Sequence, residues 1–277
     1  MIHLKRARDP ASLNAGFTGA GLVTRLVALA KARHSNPAKI EWEGILGDWK
    51  KMKPFLERDS FNKCAYCEAP TSAVAWGDVE HFRPKSIYWW LAVCVDNYVF
   101  SCQLCNQKYK DDHFPIAGTQ LPAPILPAAL PTTQTALKLL VSNFCPDPAT
   151  AIEAALLAAW QTEDPDLPHP YLEDPEPLFA WAAVETNEEV HVLPPDNASP
   201  RAKRAVQAAV DYLGMNRETL ARQRYIVYRS LVLAVHAWKQ LDDALSLKQI
   251  QFMCQANHPF AGMCRYYAHL AGAPFSR

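Results

Sequence analysis

The chain has 277 residues, 49% apolar and 20% charged. That composition can bury a sizeable core and excludes a disordered or low-complexity protein. Basic and acidic side chains balance at 28 each, which excludes a protein drawn to nucleic acid by overall charge alone. No apolar run approaches the roughly 20 residues of a membrane span, and the start, Met1-Ile-His-Leu-Lys-Arg, lacks the apolar core of a secretory signal. The expectation is a cytoplasmic protein with no membrane association.

The balanced charge is segregated along the chain. Residues 1–60 carry 11 basic against 6 acidic side chains, residues 61–144 carry 6 against 6, residues 145–200 carry none against 12, and residues 201–277 carry 11 against 4. Basic ends can track a phosphate backbone or simply be solvated helix faces.

Residues 1–60 read as a helical region. Leu22, Val23, Leu26, Val27 and Ala30 form one apolar stripe, and Ile45, Trp49, Met52 and Leu56 form another at helical spacing. Residues 61–118 change character: short, aromatic, β-prone runs carry cysteine, histidine and asparagine. Pro122, Pro124, Pro127 and Pro131 make residues 117–133 a connector. Two short helices are expected over 135–142 and 151–160, followed by an acidic, proline-rich loop over 163–177. Residues 178–185 and 189–193 suit a hairpin with Val190 and Val192 on one face. The region 199–277 is helical again. Ser199-Pro200 is an N-cap signature, Gly214 a stop, and Asn216 a candidate cap for a long helix reaching about residue 240. The fold class is therefore α+β and mostly α-helical, with a small module between N- and C-terminal helical regions and an acidic segment over 119–198.

Four of the eight cysteines fall in two pairs, Cys64-Ala-Tyr-Cys67 and Cys102-Gln-Leu-Cys105. Thiolates two residues apart on a turn can face one ion, and two such knuckles complete the tetrahedral set that a structural Zn²⁺ takes. Such a site substitutes for the core that so short a module cannot build. Between the knuckles lies Asp78-Val79-Glu80-His81-Phe82-Arg83-Pro84-Lys85, then Asp96-Asn97-Tyr98, and Asn106-Gln107-Lys108 follows the last cysteine. A neutral histidine can take a proton from water near neutral pH. Glu80 and Asn106 offer the oxygen ligands that Mg²⁺ or Mn²⁺ prefer, and Arg83, Lys85, Lys108 and Lys110 are candidate phosphate clamps. Cys254 with His258 and Cys264 with His269 read as core and surface residues rather than a second zinc site, and Tyr88, Trp89 and Trp90 as core.

In the order of these features the segment resembles the HNH endonuclease superfamily, in its zinc-bearing ββα-metal branch. The wording Cys67-Glu68, Glu80-His81-Phe82-Arg83-Pro84-Lys85-Ser86 and Phe114-Pro115 resembles the HNH subunits found with Septu- and retron-type antiphage systems. The resemblance covers roughly residues 61–115. It implies that His81 is the general base, Glu80 the adjacent acidic metal ligand, Asn97 the brace of the turn and Asn106 the last metal ligand. Glu80 stands where aspartate is commoner, and Asn106 where the family's name promises a second histidine; His113 is an outside candidate for that role. The resemblance also implies a DNA rather than RNA target, and a complex with a separately encoded ATPase docked outside residues 61–115. Candidate docking regions are the acidic stretch and a C-terminus with Arg217, Arg222, Arg224 and Arg229. Removing residues 200–277 should then spare the zinc module, unless the C-terminus packs on it. The alternatives are a non-catalytic zinc module that binds nucleic acid or protein, and a nuclease that cuts RNA or tRNA.

Overall fold

A computed structural model describes residues 1–42, 49–73 and 75–276. Ile45 of the second expected stripe lies outside them. The first stripe forms α1 (Gly19–Ser35), with Leu22, Leu26, Val27 and Ala30 buried and Leu29 beside them. A 3₁₀ turn at Trp49–Met52, with Met52 buried, leads into α2 (Lys53–Asp59), with Leu56 buried.

Strands β1 (Asp78–His81) and β2 (Tyr98–Ser101) pair antiparallel, with Asp78 opposite Ser101 and His81 opposite Tyr98. A seven-residue helix, Leu104–Lys110, follows β2 directly and is wound with the wide i→i+5 bonding of a π-helix, as in Asp111 N–H donating to the Asn106 carbonyl. Further along lie α3 (Gln134–Val141) and α4 (Ala154–Gln161), the hairpin β3 (Ala180–Val184) and β4 (Glu189–Leu193), then α5 (Pro200–Leu213), α6 (Glu218–Leu241), α7 (Ala244–Met253) and α8 (Ala261–Leu270). The chain is α+β with small two-stranded sheets. No described helix is long and apolar enough to cross a membrane.

Local chemistry explains both ends of α5. Ser199 Oγ accepts from Ala202 N–H, Pro200 opens α5, and Gly214 ends it with φ +58. Asn216 does not cap α6. Its side-chain amide brackets the backbone of Val192, accepting from the N–H at 2.8 Å and donating to the C=O at 3.0 Å, while Arg217 takes the cap position of α6. A buried strand edge needs its polar groups paired, and that need outweighs a helix cap that water can serve.

One core joins the two cysteine pairs to the C-terminal half: Cys64, Cys67, Cys105, Phe82 and Val99 share it with Trp181, Val192, Leu213, Leu220, Met253 and Met263. A second core packs α1 against Tyr88, Trp89, Trp90, Leu137 and Trp160. The acidic middle is not a free solvated loop. Glu163 is fully buried on Arg83, Asp164 and Asp166 hold Arg204, and Glu176 holds Arg265. Part of the segregated charge thus cancels within the fold. Arg224, expected on the surface, is buried and donates to the Met215 carbonyl at 2.6 Å.

Candidate functional site

The Cys64–Cys67 turn is closed by Cys64 N–H donating to Ala69 C=O and Glu68 N–H donating to Cys64 C=O. Ala65 N–H donates to Phe100 C=O at 2.9 Å, which fastens the turn to β2. The second pair sits where β2 passes into the π-wound helix. The four sulfurs lie within 4.8 Å of one another, and Cys67 and Cys102 are 4.0 Å apart. A disulfide needs about 2.05 Å, so none of the four is in a disulfide. Tetrahedral zinc with Zn–S bonds of about 2.3 Å spaces its sulfurs about 3.8 Å apart. The cluster fits that ion. Among the described residues it is the one group of three or more His, Cys, Asp or Glu donors gathered so closely.

The C-terminal region packs directly on this cluster. Arg217 donates through Nη1 to Cys105 Sγ at 3.7 Å and through Nη2 to Cys67 Sγ at 3.8 Å. Its Nη1 also reaches the carbonyls of Leu213 and Gly214 at 3.2 and 3.0 Å. The guanidinium ties off the end of α5 and is placed to offset thiolate charge on the cluster. Residues 200–277 are therefore part of the cysteine site's support, and they cannot be cut away as a separate docking region.

Beside the cluster, a cavity of about 500 Å³ is lined by Asp78, Glu80, His81, Lys85, Asn106 and Gln107, with Trp49, Lys50, Lys53 and Trp76 completing the wall. His81 ends β1 and is buried, with its ring edge-on to Tyr98 and Trp49 at 5.1 and 5.6 Å. Its Nε2 is 3.0 Å from the Ala92 carbonyl. A carbonyl only accepts, so Nε2 carries the proton and Nδ1 keeps the lone pair. Among the described residues no group hydrogen-bonds to Nδ1. Burial pushes the imidazole down to about 3, so the ring is neutral at physiological pH.

Glu80 is buried and lies 2.5 Å from Lys110 Nζ, which also donates to the His81 carbonyl at 3.1 Å. Burial pushes the Glu80 carboxyl up, against the pull of Lys110. Asn106 donates from Nδ2 to Asp78 Oδ2 at 3.0 Å, and Gln107 donates to the same oxygen at 2.9 Å. Asn97 is wholly buried and brackets Arg83, accepting from its N–H at 2.8 Å and donating to its C=O at 3.0 Å. It holds the loop after β1 and lies outside the cavity wall.

Of the four expected phosphate clamps, only Lys85 lines the cavity. Arg83 is 2% exposed, with Nε 2.6 Å from Glu163 Oε2 and Nη2 donating to the Trp160 carbonyl. Lys110 is 0% exposed. Their charge is already matched by buried carboxylates, so neither can reach a phosphate in this arrangement. Lys108 is exposed over the Tyr109 ring and outside the cavity wall. His113 stacks on Tyr212 instead of joining the group. Sequence reasoning passed over Asp78, Lys50, Lys53 and Trp76. The strand period of two puts Asp78 on the same face as Glu80, a signal that was available for Asp78 alone.

No family model matches the chain. Two curated relatives do. The chain is similar to Septu protein PtuB of Bacillus mycoides (strain KBAB4), 28% identical over 160 residues, covering 53% of this chain and 52% of the relative. It is also similar to Septu protein PtuB of Bacillus thuringiensis, 30% identical over 148 residues, covering 52% of this chain and 48% of the relative. The chain spans about half the length of the curated relatives it matches.

Proposed function

We propose that the chain is a metal-dependent HNH-type endonuclease, with residues 61–118 as its ββα-metal module, acting in a Septu-type antiphage defence system. The observation that carries this reading is the cavity in which a neutral His81, held by its Nε2–H, shares a wall with Asp78, Glu80 and Asn106 beside a four-cysteine cluster. The similarity to two Septu proteins supports the defence context. The strand–strand–helix order of β1, β2 and Leu104–Lys110 supports the module.

In the proposed reaction His81 Nδ1 takes a proton from water, the water oxygen attacks phosphorus, and the P–O bond to the leaving oxygen breaks, its electron pair staying on that oxygen, which takes a proton from solvent. Tyr98 O–H also donates to the Ala92 carbonyl, at 2.7 Å, so the imidazole is aimed by a fixed acceptor. The hard-oxygen set of Asp78, Glu80 and Asn106 fits Mg²⁺ or Mn²⁺. Such an ion, when bound, would relieve phosphoryl charge and make a bound water more acidic. The second consequence suits a base as weak as the buried imidazole. Lys85, Lys50 and Lys53 would hold the flanking phosphates, and Cys64, Cys67, Cys102 and Cys105 a structural Zn²⁺. The resemblance further implies DNA as the target and a separately encoded ATPase as partner. Ile226, Leu233 and Leu241, exposed along α6, offer an apolar row for such a contact.

The test is incubation of the pure protein with plasmid, with single-stranded DNA and with RNA, in Mg²⁺, Mn²⁺ or EDTA. Metal-dependent cleavage should fall by about 10²–10⁴-fold in His81→Ala, with fold and zinc content kept. A His81→Ala protein that cuts like the parent removes the base assignment. No cleavage of any of these substrates by the parent protein, alone or with a co-purified partner, leaves a non-catalytic zinc module.

A further inference from the structure

Trp76 is 86% exposed at the edge of the cavity that holds His81. Large aromatic rings are usually buried, because covering them is among the larger gains available to a side chain. A ring left open beside a reactive cavity calls for an occupant. The backbone next to this ring is tightly constrained. Gly77 follows it at φ +59, and a Cβ at Gly77 would stand 2.4 Å from the Phe100 ring, so the turn lies flat on β2 and admits only glycine. Asp78 then begins β1. Lys53 Nζ is 5.8 Å from the Trp76 ring centroid, Lys85 Nζ is 5.5 Å from that of Trp49, and exposed Lys50 lies on the same wall.

Aromatic faces interleaved with cations are the recognition chemistry of an unpaired nucleotide strand: bases cover the rings while phosphates meet the charges. A paired duplex cannot use Trp76 in this way. Its base faces are already stacked on one another, and only base edges reach the grooves. We infer that the cavity takes single-stranded nucleic acid, with one unpaired base stacked on Trp76 beside the phosphate presented to His81. The inference rests on the nuclease reading of this cavity and names its substrate class. Stacking itself does not distinguish deoxyribose from ribose.

The experiment uses the full chain carrying His81→Ala, so that probes stay intact. Fluorescein-labelled oligonucleotides of about 20 nucleotides, longer than a typical single-strand site, are titrated as DNA, as RNA and as a blunt DNA duplex, with anisotropy as the readout. Single strands should bind more tightly than the duplex. Adding Trp76→Ala should weaken single-strand binding about fivefold to a hundredfold and leave duplex binding within about twofold; Trp76→Phe should restore most of the loss. Exposure of the ring means the fold survives either change, and an unchanged melting temperature checks that. Single-strand affinity that ignores Trp76→Ala, or single-strand and duplex affinities that fall together, overturns the inference. If the parent protein cuts nucleic acid while binding ignores Trp76, only this inference falls; if it neither binds nor cuts, the nuclease reading falls with it.

Discussion

Arg83 separates two accounts of the same residue. As a phosphate clamp it would matter to binding; in the structure it is a buried strut. Glu163 Oε2 accepts from Arg83 Nε at 2.6 Å, and Glu163 Oε1 accepts from Tyr88 O–H at 2.6 Å and from Leu121 N–H at 2.9 Å. The carboxylate thereby binds the loop after β1 to the proline-rich connector and the end of α4. Removing one member of a buried, hydrogen-bonded ion pair costs about 3–5 kcal/mol, because the other charge stays in the interior without its partner. Arg83→Met should cost that much. Glu163→Leu should cost about 1–3 kcal/mol more, because Tyr88 O–H and Leu121 N–H also lose their acceptor. Against a total stability of about 5–15 kcal/mol, either variant stands close to unfolding. The double variant removes both charges, so its cost should fall short of the sum by about 0.5–3 kcal/mol. Urea denaturation of the four proteins closes the cycle, with zinc content as a check on the folded state. Parent stability in Arg83→Met together with weakened nucleic-acid binding would refute the reasoning and return Arg83 to the phosphate-clamp role.

Two further outcomes are expected. Metal analysis should find about one tightly held zinc per chain, and Cys102→Ser should release it and destabilise the protein by several kcal/mol or leave it insoluble; a folded, metal-free parent protein would contradict this. His169 is buried against Phe82, and burial pushes its pKa well below the usual value in the folded state. Below about pH 6.5 the unfolded chain takes up a proton that the folded chain refuses. The His169 contribution is therefore neutral to stability above that pH and erodes stability as pH falls, by at most about 1.4 kcal/mol per pH unit. Denaturation midpoints compared at pH 7.5 and 5 should show a shallower loss in His169→Asn than in the parent, and equal slopes would count against the burial argument.

What was legible in the sequence is what local chemistry decides. The spacing of Cys64/Cys67 and Cys102/Cys105, the Ser199-Pro200 cap, the Gly214 stop and the stripe of α1 each need only neighbours a few residues away. The destinations of long charged side chains were not legible. Arg83 finds Glu163 80 residues on, Lys110 finds Glu80, and Arg217 finds Cys67 150 residues back. Nothing periodic marks these partners, and an arginine reads alike whether it meets phosphate or a buried carboxylate. Trp76 was opaque for the opposite reason: an isolated tryptophan before a glycine reads as core, and only its exposure sets it apart. Asn216 shows a competition that propensity does not score, between a helix cap and the edge of a strand.

The clasp of Arg217 on the cysteine sulfurs also bears on how the protein is made. Chains fold from the N-terminus as they leave the ribosome, at about 5–20 residues per second. Cys105 precedes Arg217 by 112 residues, so on the order of ten seconds passes between synthesis of the last clustered cysteine and arrival of its cationic cover. During that interval the four cysteine side chains and the apolar faces awaiting α5 and α6 are bare. Zinc supply and chaperone access in that window, rather than the finished protein's affinity for the metal, would then set the yield of active molecules. In a metal-poor cell the defect would appear as aggregation of nascent chains before any loss of activity in those already completed.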